Sequence, residues 1–237
     1  MPDSPSLMLL IDKPVGITSH DVVDKVRRIY KTRRVGHGGT LDPFATGLLM
    51  VGVGSQTKKL HDVVGLDKTY EAVAELGAIS DTYDLTGKIQ NTNTQAESPL
   101  EKGGSEGGLI PRREEMEEAL AKFRGTIEQK APAYSAKKVG GQKLYELARK
   151  GVDVEHLRPT KKVDITELIV IEYNWPVLKF RVTCSSGTYI RSLANDIGEQ
   201  LDCGAYLKEL RRTRIGPYKL EDAKNLEELG IENIKIA

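Results

Sequence analysis

The feature that most limits how this sequence can fold is the interleaving of segments with strand periodicity and segments with helix periodicity. Apolar and polar residues alternate over residues 68–76, whereas apolar residues recur every three or four positions over residues 18–30. The two kinds of segment follow each other without the strict strand-helix-strand order of a Rossmann fold. The sequence therefore predicts an α+β fold in which a mixed sheet is flanked by helices.

The same periodicity assigns strands and helices to most of the chain. Strands are predicted at residues 7–11, 48–53, 68–76, 163–173, 177–184 and 205–214. Helices are predicted at residues 18–30, 55–64, 113–123, 143–150 and 188–201. Residues 91–108 contain almost no bulky apolar side chain, so we interpret them as a flexible surface insertion.

Composition excludes several classes of protein. Of the 237 residues, 39% are hydrophobic and 29% are charged, which is typical of a folded domain and not of a disordered chain. No uncharged apolar run approaches the roughly 18 residues of a membrane span, and the N-terminus has no signal-peptide pattern. The two cysteines, Cys184 and Cys203, cannot form a disulfide framework, so we interpret them as reduced thiols in a cytoplasmic protein.

Charge is balanced overall but unevenly distributed along the chain. The net charge is +1 at pH 7, yet basic side chains gather in three stretches, at residues 25–34, 137–150 and 208–219. Segregated basic clusters are typical of a surface that binds a polyanion such as a nucleic acid. The alternative is that each cluster is a solvated helix face with no partner.

The glycine-rich segment GHGGTLDPFATG, residues 36–47, presents Asp42 directly before a proline. Pro43 disfavours helical backbone at Asp42, while the glycines let the backbone approach a ligand closely. This arrangement suits a carboxylate that is presented to a ligand. The alternative is an Asp-Pro turn with no chemical role.

Arg191 and Tyr70 are two further candidates on physical grounds. Arg191 falls in the first turn of a predicted helix, where the helix dipole disfavours a cation, so we expect it to pair with a carboxylate. The alternative is an exposed arginine whose stem covers apolar surface. Tyr70 lies on the apolar face of its predicted strand and points inward. A simple core tyrosine is the alternative there.

Several segments resemble, in order, the motifs of one enzyme family. GHGGTLDPFATGLLMVGVG resembles the catalytic motif of the TruB-type pseudouridine synthases, which isomerise uridine 55 in the T-arm of tRNA. The family's other motifs are similar to LLIDKPVGITSHDVV, DKTYEAVAELG, QKAPAYSAKKVGGQKLYELARKG, CSSGTYIRSLANDIG and CGAYLKELRRTRIG. The resemblance runs from about Leu7 to Leu220. It implies the pseudouridine synthase fold, with a central mixed, largely antiparallel sheet flanked by helices.

The resemblance also implies a role for individual residues. Asp42 would be the nucleophile, Tyr70 would pack against the target base and assist proton removal from its C5, and Arg191 would pair with Asp42. Substrate contacts are implied for His37, Lys58, Asp84, Tyr189 and Leu210. Phe44 stands where the family pattern has a leucine, which should affect packing only.

The domain organisation and partners follow from the same resemblance. Residues 1–220 would form the catalytic domain, and residues 221–237 a short acidic tail without a separate PUA domain. The expected partner is the T-arm stem-loop of tRNA, bound by a monomer that needs no membrane and no protein partner. Isomerisation involves no redox change, so no cofactor and no metal are expected.

Three other functions stay open at the level of sequence. A non-catalytic RNA-binding module would keep the basic surface, although the intact set of Asp42, Tyr70 and Arg191 argues against it. A guide-RNA-dependent synthase of the dyskerin type would need a PUA domain and protein partners, and the chain ends early for such a domain. A glycosidase would need a second catalytic carboxylate beside Asp42. Even within the family, Asp42 could attack C1′, attack C6 or abstract a proton.

Overall fold

The computed structural model describes residues 5–92, 110–135 and 137–229. The chain divides into two compact units, Met1–Glu71 with Glu209–Ala237 and Ala72–Lys208. The helices are α1 Ser19–Ile29, α2 Leu60–Val64, α3 Arg113–Ala121, α4 Leu144–Arg149 and α5 Ile190–Gln200. The strands are β1 Leu7–Lys13, β2 Val35–His37, β3 Thr46–Val53, β4 Lys68–Leu76, β5 Ala78–Ser80, β6 Ile89–Asn91, β7 Gly125–Lys130, β8 Lys138–Val139, β9 Gln142–Lys143, β10 Thr160–Asn174, β11 Val177–Cys184, β12 Ala205–Ile215, β13 Tyr218–Lys219 and β14 Lys224–Asn225.

The first unit is built on a mixed sheet. Neighbouring strands lie in the order β14-β1-β3-β12, with β2 paired to β3 and β13 paired to β12. Strands β1 and β3 are antiparallel, so that Leu7 lies opposite Val53 and Lys13 lies opposite Gly47. Strand β12 runs parallel to β3, and β14 runs parallel to β1.

Helix α1 covers this sheet because its apolar stripe faces the strands. Thr18 caps the helix reciprocally with Asp21: the Asp21 amide donates to Oγ1 of Thr18 at 3.0 Å, and the Thr18 amide donates to Oδ2 of Asp21 at 2.7 Å. One buried cluster joins α1 to β3 and contains Val22, Val23, Val26, Leu49, Val51 and Val53. Burial of apolar area stabilises this contact by about 25 cal/mol per Å².

The second unit contains the part of β4 from Ala72 onwards, followed in the sheet by β11, β10 and β7. Strand β10 is antiparallel to both β11 and β7. Helix α5 buries the stripe that its sequence predicts, with Leu193, Ala194 and Ile197 inside. In β4 every second residue from Lys68 to Leu76 is buried, as the alternation predicts.

The predicted α+β class is confirmed, and all predicted strands are present with small shifts at their ends. The helix predicted at residues 55–64 is wrong in its first half, which is a 3₁₀ turn at Gly54–Lys59. The predicted glycine-rich loop is shorter than expected because β2 and the start of β3 lie within it. Strand β7 was not predicted, since Gln129 is its one buried side chain and no apolar alternation marks it.

The ends of two predicted segments are only partly described. Of the insertion predicted at residues 91–108, Asn91 ends β6 and residues 93–108 lie outside the described residues. The segment after residue 220 is described as far as Leu229, and both Leu226 and Leu229 are buried in the cluster that contains α1. Within the described ranges, no helix has the length and apolar character needed to cross a membrane.

Candidate active site

Asp42 lies in the loop between β2 and β3, where the sequence predicts it. Its side chain is partly buried, and its neighbours Leu41 and Phe44 are buried at 3% and 8% exposure. The amide of Ala45 donates to the carbonyl oxygen of Asp42 at 3.1 Å, which closes the Asp-Pro turn. The Asp-Pro turn that the sequence offers is therefore present, and the two buried neighbours anchor the backbone on either side of Asp42.

Lys13, at the end of β1, is a buried cation beneath this loop. Its Nζ donates to the carbonyl oxygens of Pro14 at 2.8 Å, Ile17 at 2.7 Å and Pro43 at 3.3 Å. Burial lowers the pKa of the Lys13 ammonium to about 8, and the Asp42 carboxylate works in the opposite direction. Because the interaction is mutual, the Lys13 charge favours the ionised form of Asp42. Lys13 was not predicted as a site residue; its place between an apolar strand and a proline is the only signal in the sequence.

His37 lies in β2, before the Asp42 loop. Burial lowers the pKa of its imidazole, and the interactions with His20 and Arg212 lower it further. The neutral form of the ring is therefore favoured, and it can donate or accept a hydrogen bond without carrying charge. Its Nδ1 is buried and makes no hydrogen bond within the part of the chain that the structure describes.

The structure places three further predicted residues on different elements of the first unit. Tyr70 lies on the buried face of β4 with 8% exposure, which confirms the predicted inward direction. Leu210 is also 8% exposed, on β12, and its carbonyl oxygen accepts from Oγ1 of Thr46 at 3.5 Å. Lys58 is exposed on the 3₁₀ turn Gly54–Lys59.

Arg191, the second residue of α5, has the carboxylate partner that its position predicts. Its Nη1 lies 3.3 Å from Oδ2 of Asp84 in the same unit, and it also donates to the carbonyl oxygen of Thr82. Its Nη2 donates to the carbonyl oxygen of Tyr134 at 3.1 Å. The pairing of Arg191 with Asp42, which the family resemblance implies, stays a prediction.

Asp84 is held by the turn that follows β5. Its Oδ1 accepts from Oγ1 of Thr82 at 2.8 Å and from the amide of Thr86 at 2.9 Å. Its own carbonyl oxygen accepts from Oγ of Ser80 at 2.7 Å. With a side chain 4% exposed, Asp84 is a fixed carboxylate that faces Arg191.

Tyr189 is the residue that caps α5, and its backbone is held by Gln129 of β7. The Tyr189 amide donates to Oε1 of Gln129 at 2.7 Å, and Nε2 of Gln129 donates back to the Tyr189 carbonyl oxygen at 3.0 Å. Gln129 is 3% exposed. Sequence reasoning missed it, since one buried amide in an otherwise exposed strand leaves no periodic signal.

The basic cluster predicted at residues 208–219 is only partly a surface. Arg212 is 1% exposed, because alternation along β12 turns it inward. Arg212 is therefore not part of a surface that could contact a polyanion, whereas Lys208, Arg211, Arg214 and Lys219 are exposed.

The family model described as TruB family pseudouridylate synthase (N terminal domain) matches residues 27–190. The chain belongs to the TruB family. The tRNA pseudouridylate synthase B C-terminal domain model matches residues 191–234, so the TruB resemblance extends past the predicted limit near Leu220.

Curated TruB relatives match along nearly the whole chain. The tRNA pseudouridine synthase B of Chlamydia muridarum is 42% identical over 229 residues, which are 95% of this chain and 88% of the relative. The protein of the same name from Clostridium kluyveri is 43% identical, over 96% of this chain and 73% of the relative. The family membership predicted from the motifs is confirmed.

Solved structures agree with the fold. The chain matches a Cbf5-Nop10-Gar1 complex with a TM-score of 0.70 and 29% identity over 94% of its length. It matches the archaeal box H/ACA sRNP Nop10-Cbf5 complex with a TM-score of 0.67 and 26% identity over 97% of its length. The chain spans about half of these solved chains, 53% and 54%. The predicted pseudouridine synthase fold is confirmed.

Proposed function

We propose that this protein isomerises uridine to pseudouridine in tRNA, at uridine 55 of the T-arm. The observation that carries the proposal is TruB family membership over nearly the whole chain, together with a presented aspartate at the family's catalytic position. The reaction breaks the bond between N1 and C1′, turns the base, and joins C1′ to C5. The proton leaves C5 and N1 gains one, so the product is an isomer and no redox cofactor is required.

Asp42 is the nucleophile in this proposal. The reaction needs an ionised carboxylate, and the buried Lys13 charge supports ionisation. A neutral His37 beside the loop can contact the substrate without forming an ion pair with the Asp42 carboxylate. Tyr70 packs against the flipped base and assists the removal of the C5 proton, since an aromatic side chain stacks on an unstacked base.

Asp84, Tyr189 and Arg191 are the proposed site residues that lie in the second unit. The Asp84 carboxylate fixes the Arg191 guanidinium, and Gln129 fixes the Tyr189 backbone. Side chains held by such contacts keep one geometry during the reaction, which is how positioning lowers a barrier. Leu210 and Lys58 complete the proposed substrate contacts.

Exposed cations of the first unit would hold the RNA backbone. Those at the end of α1 and in the segments beside β2 are Lys25, Arg28, Lys31, Arg33, Arg34, Lys58 and Lys59. Their side chains are exposed, as phosphate contacts require. Neutralisation of several phosphates makes binding fall steeply with salt, by about tenfold or more between low and physiological salt.

The proposed enzyme acts alone, as a cytoplasmic monomer on the T-arm stem-loop. The solved neighbours are complexes of Cbf5 with Nop10, one of them also with Gar1. A guide-dependent enzyme is therefore the second candidate. The higher identity to tRNA pseudouridine synthase B, 42% against 29%, favours the stand-alone enzyme.

The test is to incubate the purified protein alone with an unmodified tRNA transcript and map pseudouridine by position. We expect product at position 55 with wild type, none with a transcript that carries cytidine there, and none with Asp42→Asn. The Asn variant keeps the size of the side chain and should bind the transcript with unchanged affinity. Product that appears only with added guide RNA would favour the second candidate. Binding without any product would make the protein an RNA-binding module.

A further inference from the structure

Arg212 is among the largest fully buried side chains of the protein, at 1% exposure. It lies on β12 opposite Gly47, while its neighbour Arg211 lies opposite Thr46. Arg211 turns outward and donates to Oδ2 of Asp12 at 2.6 Å. Adjacent arginines of one strand therefore have different environments, and only Arg211 faces solvent.

The Arg212 guanidinium binds the two flanks of the Asp42 loop. Nη2 donates to the carbonyl oxygen of Gly39 at 3.1 Å and Nη1 to that of Thr40 at 3.4 Å. Nε donates to the carbonyl oxygen of Leu48 at 2.7 Å. Gly39 and Thr40 precede Asp42 by three and two residues, and Leu48 follows it in β3. One planar group thus fixes the distance between the strand that leaves the loop and the backbone that enters it.

The backbone around this contact is shaped to admit it. Gly39 has φ of +129°, a conformation that L side chains rarely adopt, and its carbonyl is one of the acceptors. A Cβ on Gly47 would lie 2.3 Å from the Arg212 carbonyl oxygen, so β12 approaches β3 closely only because residue 47 is glycine. Glycine is therefore required at residue 47 by the close approach of the β12 backbone and is favoured at residue 39 by its positive φ.

We propose that Arg212 is a positioning residue: it sets the conformation of the Asp42 loop and makes no contact with the RNA. The proposal rests on the proposed function, in which Asp42 is the nucleophile. Within the described residues, the hydrogen bonds of the Arg212 side chain all go to carbonyl oxygens, so it orders the backbone. A lysine carries all its N–H donors on a single nitrogen, whereas Arg212 uses three separate nitrogens, so Arg212→Lys keeps the charge but cannot reproduce contacts to both flanks.

The test separates the chemical step from folding and from RNA binding. For Arg212→Lys we expect a single-turnover rate about 100-fold lower, the effect of a misplacement of roughly 1 Å. The dissociation constant for tRNA should stay within about threefold of wild type, since only the transition state is affected. Arg124→Lys is the matched control: Nε of Arg124 donates to the carbonyl oxygen of Leu168 at 3.0 Å in the other unit, and its loss should not change the rate.

A second variant guards against a change in folding. Arg212→Ala leaves space for a guanidinium ion, and low millimolar guanidinium should restore part of its rate without changing tRNA affinity. An unchanged rate in Arg212→Lys, or a loss of tRNA affinity at an unchanged rate, would overturn the proposal. So would a failure of both variants to fold, which would make Arg212 structural. If wild type forms no pseudouridine, the proposed function itself fails, and that result is distinct from all of these.

Discussion

Nη1 of Arg191 lies 3.3 Å from Oδ2 of Asp84, and the exposed fractions of the two side chains are 8% and 4%. The contact joins the start of α5 to the turn after β5. Because both charges are removed from water, each depends on the other and on the surrounding backbone carbonyls and hydroxyls for stabilisation. The pair therefore fixes Arg191. Removing one partner should destabilise the fold, because the other charge then stays buried without this counter-charge.

Asp84→Asn should lower the free energy of unfolding by about 3 kcal/mol, because it takes the carboxylate charge from a buried guanidinium. Urea unfolding measures this. The double variant Asp84→Asn with Arg191→Met should lose less stability than the sum of the losses in Asp84→Asn alone and Arg191→Met alone. Lys130→Met, which breaks an exposed pair with Glu155, should cost less than about 1 kcal/mol. Additive losses at Asp84 and Arg191 would contradict the coupling.

Lys13 should make stability rise with pH in a defined window. Burial lowers its pKa from 10.5 to about 8, so between these values the unfolded chain binds more protons than the folded one. The free energy of unfolding should then rise with pH, by about 3 kcal/mol in total. Urea unfolding of wild type and Lys13→Met at several pH values isolates this contribution. Parallel pH profiles for the two proteins would show that Lys13 does not titrate in this window.

Asp196 in α5 should behave in the opposite way. Burial raises the pKa of its carboxyl to about 6, and the charge of Glu199 adds to the shift. The folded chain therefore binds more protons between pH 3.8 and about 6, and this stability is lost as pH rises through the window. At pH 7.5 Asp196→Asn should be more stable than wild type by about 1–3 kcal/mol, and the gain should vanish near pH 4. The exposed Glu128→Gln should change stability by less than about 0.5 kcal/mol.

Activity should survive exhaustive treatment with EDTA. Within the described residues, no three His, Cys, Asp or Glu side chains lie close enough together to hold a metal ion. The measurement is the rate of pseudouridine formation before and after chelation, on a T-arm hairpin that folds without divalent ions. Loss of the rate on that hairpin, restored by one particular metal and not by Mg²⁺, would contradict the prediction.

The elements that the sequence predicts well are those whose side chains alternate in burial. Strand β4 buries every second residue and was placed correctly at both ends, and α5 shows its apolar stripe. Strand β7 has no such pattern, because its one buried side chain is an amide, that of Gln129. Apolar periodicity in a sequence reveals strands that bury apolar side chains. It does not reveal a polar strand that is stabilised by pairing with its neighbour.

The residues of the candidate site also fall into two groups, those that the sequence marks and those that it does not. Asp42, Tyr70 and Arg191 occupy positions that local rules single out: a residue before proline, the inward face of a strand, a cation at a helix start. Lys13 and Arg212 bind carbonyl oxygens that are distant in sequence, such as Pro43 and Leu48, so no local rule marks them. In the sequence, Arg212 looks like one more basic residue of a surface cluster.

The Gln129 amide that holds Tyr189 has a consequence for solvent exchange. Amides at the start of a helix have no intrahelical acceptor and usually exchange their hydrogen with water quickly. The Tyr189 amide is instead bonded to a side chain 3% exposed, at 2.7 Å. Its deuterium uptake should therefore be slow, and should become fast in Gln129→Ala while amides in the middle of α5 keep their rates. That single amide is a spectroscopic reporter of whether β7 and α5 remain joined.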